Sequence, residues 1–181
     1  MLRMALSTLR RFRAADRGIA AVEFALILPF MALLYLGGFE VMEEISANRQ
    51  VSLTASTIAS IVTQYSTISK SQTMPGILAA STSVLTPFSA SNAVVTVSCI
   101  GIDNNGKATV TWSQAMNGAG RLVGSTVTLP AALDVPNTTV VMGETSYNYT
   151  PTIDFLNRGT MKLYSSVYML PRQPGVIALS T

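Results

Sequence analysis

The chain has 181 residues, 49% of them hydrophobic and only 12% charged, against about a quarter charged in an ordinary soluble domain; that suits one domain plus a membrane segment and argues against a freely soluble protein. The net charge of +3 is uneven, because residues 1–18 hold Arg3, Arg10, Arg11, Arg13 and Arg17 against Asp16, a surplus of +4, while the rest hold seven basic and eight acidic groups, or −1. The basic excess therefore belongs to the N-terminus, the body has no basic patch interleaved with aromatics, and nucleic acid is not an expected partner.

After the leader comes an apolar run, Ile19 to Phe39, of 21 residues with one charge, Glu23. As a helix it spans about 31 Å, the thickness of a bilayer's hydrocarbon core. The arginines precede it and Glu40, Glu43 and Glu44 follow it. The positive-inside rule then places residues 1–18 in the cytoplasm and the remainder across the membrane. Pro29 removes one helical hydrogen bond and Gly37-Gly38 loosens the far end, both tolerated in membrane helices. A carboxylate in this run costs roughly 2.5–3.5 kcal/mol on insertion scales, so Glu23 calls for a purpose. A secretory signal peptide would have a shorter apolar region and a small-x-small cleavage site after it. A plain single-pass anchor would need neither Gly18 nor Glu23.

Val41 to about Ile68 is expected to continue the helix, with Val51, Ala55, Ile58, Val62 and Tyr65 on one apolar face. That face suits packing on the domain's own sheet, with contacts between subunits as the alternative. Ser66 to Gly76 reads as a loop broken by Met74-Pro75-Gly76, and Ile77 to Leu85 as a short helix ended by Thr86-Pro87. Val94 to Ile102 and Ala108 to Ser113 are strands joined by Asp103-Asn104-Asn105-Gly106, the clearest hairpin in the chain. Gly118 to Gly124 is a Gly-rich loop without the pattern of a phosphate cradle. Thr138 to Tyr149 and Met161 to Leu170 are two more strands, with Glu144 expected to face solvent or another subunit. Trp112, Tyr147, Tyr149 and Tyr168 are expected in core or cross-strand packing. The tail from Pro171 is expected to be a loosely attached end, with an edge strand over 176–179 as the alternative.

The fold class is α+β: a long N-terminal transmembrane helix continuing into a helix packed on a small antiparallel sheet of about four strands. The expected layout is a leader over 1–18, a transmembrane helix over 19–39, a helical extension over 40–72 and an extracytoplasmic α+β domain over 73–181.

The stretch Arg17-Gly18-Ile19-Ala20-Ala21-Val22-Glu23-Phe24-Ala25-Leu26-Ile27-Leu28-Pro29 resembles the N-terminus of the TadE-like pseudopilins, minor pilin-like proteins of the tight-adherence (Tad/Flp) pilus system. Tyr147-Asn148-Tyr149-Thr150-Pro151 resembles that family's aromatic-x-aromatic-x-Pro element. The middle of the chain, about residues 60–140, carries no matching motif. The resemblance implies a pilin-like fold and cleavage between Gly18 and Ile19 by a prepilin peptidase. It also implies partners: inner-membrane Tad platform proteins, other pilin-like subunits and the lipid bilayer. Glycine at the cut lets an extended backbone enter a protease cleft. Arg10, Arg11, Arg13 and Arg17 hold the leader at the anionic leaflet, each contributing about 1 kcal/mol. Cleavage removes that charge and makes Glu23 the fifth mature residue, where it can pair with a neighbour's Ile19 amine and set filament register. The bland alternative leaves Glu23 solvated among headgroups.

Catalysis has little support. There is no histidine, the commonest general base and metal ligand, and no metal-ligand cluster or Walker motif. Asp103 and Asp134 read as turn residues. The single cysteine, Cys99, rules out an intrachain disulfide and reads as a small buried hydrophobe, with an intermolecular or reactive role as the alternative. No cofactor is expected. The competing functional class is a membrane-anchored extracytoplasmic binding or adhesion module that acts by itself.

Overall fold

A computed structural model describes residues 16–155, 157–173 and 175–181, with side chains from Gly18 onward. Its first element, α1, is one 47-residue helix, Asp16–Val62, that runs unbroken through Pro29. Helix α1 changes environment along its length. Every residue from Gly18 to Tyr35 is exposed, whereas Ala47, Val51, Ala55, Ile58, Ala59 and Val62 are buried at spacings of three and four. That periodicity is the stripe a helix needs to lie on a sheet.

The helix ends six residues before the expected Ile68. Gln64 and Tyr65 donate their amides to Ile61 and Val62, tightening the last turn, and Tyr65 lies past the helix and exposed. Thr67–Ser69 instead form β1, where Thr67 and Ile68 carry the β-branched side chains that favour extended backbone. Helix α2, Thr73–Ser83, begins earlier than the expected Ile77 and absorbs Met74-Pro75-Gly76. Pro75 falls in its first turn, where the missing N–H would have had no helical acceptor, so proline starts this helix rather than breaking it.

Four antiparallel strands form the sheet: β2 (Ala93–Ile102), β3 (Ala108–Met116), β4 (Thr139–Tyr149) and β5 (Met161–Met169), in the order β3-β2-β4-β5. The β2–β3 turn forms as expected. The Asp103 Oδ1 accepts from the amides of Asn105 and Lys107, both at 2.8 Å, and Gly106 takes φ +78°, which glycine adopts without strain. The pairing shifts between Cys99 opposite Trp112 and Ile100 opposite Val110, leaving Thr111 as an extra residue. This bulge turns Trp112 toward the helix side and Val110 toward the other.

Two cores result. On the helix side, Val51, Ile58 and Val62 meet Val95, Val97, Cys99, Val141, Tyr147 and Tyr149. The helix comes so close over β4 that a Cβ on Gly143 would collide with the Ala55 carbonyl oxygen and press on the Ala59 Cβ and Ile58 Cγ2 at 3.1 Å. The smaller core lies on the opposite face, where Ile100, Val110, Val140 and Met142 are covered by Val127, Leu129 and Leu133 of the β3–β4 connection. Cys99 is free and fully buried, and burial pushes its thiol up to about 11, so it is packed apolar material.

The tail is tied down rather than loose. Strand β6, Ala178–Ser180, pairs in parallel with β1. Ile177 is buried, and its carbonyl accepts the Trp112 indole N–H at 2.7 Å.

Candidate functional site: the uncovered half of α1 and its collar

The uncovered half of α1 carries the residues expected to matter. Gly18 lies in its first turn, helical rather than extended, with open space around it. Terminal turns fray readily, because their first amides have no helical acceptor. Ile19 and Glu23 are both exposed and one turn apart on the same face, so one neighbouring chain can meet both. Arg17 is the second residue of the helix by its backbone, while Arg10, Arg11, Arg13 and the other residues up to Ala15 lie outside the described residues. Phe24, Leu26, Phe30, Leu34 and Tyr35 are all more than half exposed. Among the described residues α1 is the one helix long and apolar enough to cross a membrane, and its most apolar stretch is buried by nothing in the domain. An apolar surface of that size needs lipid or other helices to cover it.

Just beyond this half, the β4–β5 loop grips α1 like a collar. Thr152 donates its hydroxyl to the Glu43 Oε1 at 2.6 Å and its amide to Oε2 at 3.4 Å. Arg158 reaches Glu44 with both terminal nitrogens, at 2.6 and 3.3 Å. Glu40 is buried. Burial first, then the charges of Glu43, Glu44 and Glu40, pushes the Tyr149 phenol up to about 12. Glu43 and Glu44, which the sequence marks only as charges that follow the apolar run, are therefore also where the β4–β5 loop fastens to the helix. Their position four and five residues past Phe39, about one turn beyond the apolar run, is the signal that marks them.

The second polar cluster was missed at Glu144. This residue is 8% exposed, not solvent-facing, and both oxygens are occupied within the chain. Arg121 holds it through Nε at 2.6 Å and Nη2 at 2.8 Å, and the Tyr164 hydroxyl donates at 2.6 Å. The Arg121 amide in turn donates to the Ser113 hydroxyl, which bonds that of Ser98. Burial pushes the Glu144 carboxyl up, but the bonds from Arg121 and Tyr164 outweigh it and hold the carboxyl below its ordinary range. The signal was the strand alternation, since Glu144 shares its face with Val140 and Met142. A cleft of about 210 Å³ opens beside this cluster. Its acid is an ionised, doubly bonded partner of Arg121, and the Ser98 and Ser113 hydroxyls bond each other, the Val97 carbonyl and the Arg121 amide rather than a general base. Among the described residues, no group of three or more His, Cys, Asp or Glu is placed to hold a metal ion.

Comparison with known proteins locates the informative part of the chain. A family model described as TadE-like protein matches residues 18–59, which is α1 from Gly18 to one turn before its end. Over that helix the chain is similar to TadE-like proteins, and the sheet domain lies outside the match. No curated protein matches the chain, and no solved structure does either.

Proposed function

We propose that this protein is a pilin-like subunit, without catalytic activity of its own, required for assembly of a Tad/Flp-type adhesive pilus. A single observation carries the reading: one TadE-like helix is packed into a domain along its second half and bare along its first. A core helix would be covered throughout; a helix covered over half its length has its other half free for lipid and for sibling helices.

In this reading residues 1–18 are a cytoplasmic leader, 19–39 cross the inner membrane, and the helical extension and the α+β domain stand in the periplasm. A prepilin peptidase cuts between Gly18 and Ile19. Loss of the arginines at Arg10, Arg11, Arg13 and Arg17 releases the helix from the anionic leaflet, so platform proteins and other pilin-like subunits can take it into a filament. Glu23 supplies register, because a subunit placed one step wrong leaves its carboxylate unpaired in low dielectric.

The test is Glu23→Ala and Glu23→Val in a cell with an active peptidase. Both variants are expected to be cleaved normally and to insert at least as well as the parent. Their incorporation into filaments is expected to fall by about tenfold or more, the effect of about 1.4 kcal/mol. Incorporation at the parental level by both variants contradicts the register role.

A further inference from the structure

We propose that the β4–β5 loop is a second membrane contact, which lays Ile153 and Phe155 in the lipid interface beside the emerging helix. The inference rests on the reading of Ile19–Phe39 as the membrane span. Strand β4 runs down α1 toward the membrane: Gly143 lies against Ala55–Ala59, and Tyr149 lies among the charges of Glu40, Glu43 and Glu44. The ladder ends at Tyr149 opposite Met161, so the loop projects from the pole of the domain nearest the bilayer.

Its height fits. Glu43 and Glu44 lie four and five residues past Phe39, or about 6 and 7.5 Å along a helix. The interfacial zone of one leaflet is about 5–7.5 Å deep. The loop is fastened at that level by Thr152 to Glu43 and Arg158 to Glu44. The Asp154 carboxylate accepts the amides of Arg158 at 2.7 Å and Gly159 at 3.2 Å, which ties it to the residues that lead into β5. Ile153 and Phe155 are left outward, each 45% exposed. An aliphatic and an aromatic side chain on a fixed loop suit the zone between headgroups and acyl chains. The same clasp keeps Glu43 and Glu44 bonded where the helix leaves the hydrocarbon, so neither carboxylate faces lipid alone.

The experiment places a nitroxide at residue 153 or 155 (Ile153→Cys, Phe155→Cys) in the full chain. The protein is reconstituted in vesicles of phosphatidylethanolamine and phosphatidylglycerol. Native Cys99 is fully buried and stays unlabelled. Phe30→Cys marks the span and Asn104→Cys, in the turn at the far pole, marks water. Collisions with oxygen, which concentrates in lipid, are compared with collisions with a water-soluble nickel chelate. Oxygen is expected to dominate at 153, 155 and 30, and the chelate at 104. Adding Arg158→Ala to the Phe155→Cys chain is expected to raise chelate collisions at 155. Chelate dominance at 153 and 155, with oxygen dominance at 30, overturns the loop contact while leaving the span intact. Chelate dominance at 30 overturns the span itself. Shielding of 153 and 155 from both reagents means a protein surface covers the loop and also overturns the proposal.

Discussion

Glu144 stays charged in a sheet face because Arg121 and Tyr164 satisfy both of its oxygens. Its folded pKa lies below the ordinary carboxylate value of about 4.3. A depressed carboxylate contributes stability that is present above the unfolded value and lost as pH falls through the folded one. The unfolding temperature of the parent is therefore expected to drop on acidification below about pH 4. Glu144→Gln should lower stability at pH 7 by about 1–3 kcal/mol, through bonds lost to Arg121, and should flatten the acid limb. A Glu144→Gln acid limb as steep as the parent's would show that other carboxylates carry it. Gly143 makes the opposite kind of demand, that of a missing atom. Gly143→Ala puts a Cβ against the Ala55 carbonyl and the Ala59 and Ile58 side chains. It is expected to cost about 1–3 kcal/mol, measured by thermal or denaturant unfolding in detergent, and an unchanged midpoint would place the helix farther from β4.

The tail shows how much two small strands hold. Trp112 reaches the Ile177 carbonyl, Ala178–Ser180 pair with Thr67–Ser69, and the Ala178 amide donates to the Ser66 carbonyl at 3.0 Å. Ile177→Ala should cost about 2–5 kcal/mol in thermal or denaturant unfolding, because the side chain is fully buried in the helix-side core. Removing residues 176–181 should shift Trp112 emission to the red; unshifted emission would mean the indole is buried without the tail. None of this pairing was readable locally. Strands β1 and β6 have three residues each, pair in parallel and come from distant parts of the chain, so the alternative of an edge strand over 176–179 is met at Ala178–Ser180 while its partner at Thr67–Ser69 carries no local signal. The β2–β3 hairpin was readable because its turn chemistry and its strand pattern agree within a few residues. Pro75 misled because proline's meaning depends on whether a helix starts or continues there. Glu144 misled because its partner, Arg121, comes from a loop with no periodicity of its own.

At the scale of the molecule, one rigid element does two jobs. The lower half of α1 is bare and apolar, the upper half is the spine of the domain, and the collar at Glu43 and Glu44 joins them. The sequence pattern of the lower half was plain, since Glu23 stands alone in its apolar run and Gly18 closes a basic leader. What fastens the domain to the helix depends on a loop more than a hundred residues away and needed the three-dimensional arrangement. The proposed function requires that this helix be freed from a charged leader before it assembles. It is tested most directly by mass spectrometry of the N-terminal peptide of protein recovered from cells with an active prepilin peptidase. The predicted result is a chain beginning at Ile19; a chain that still carries residues 1–18 would contradict it.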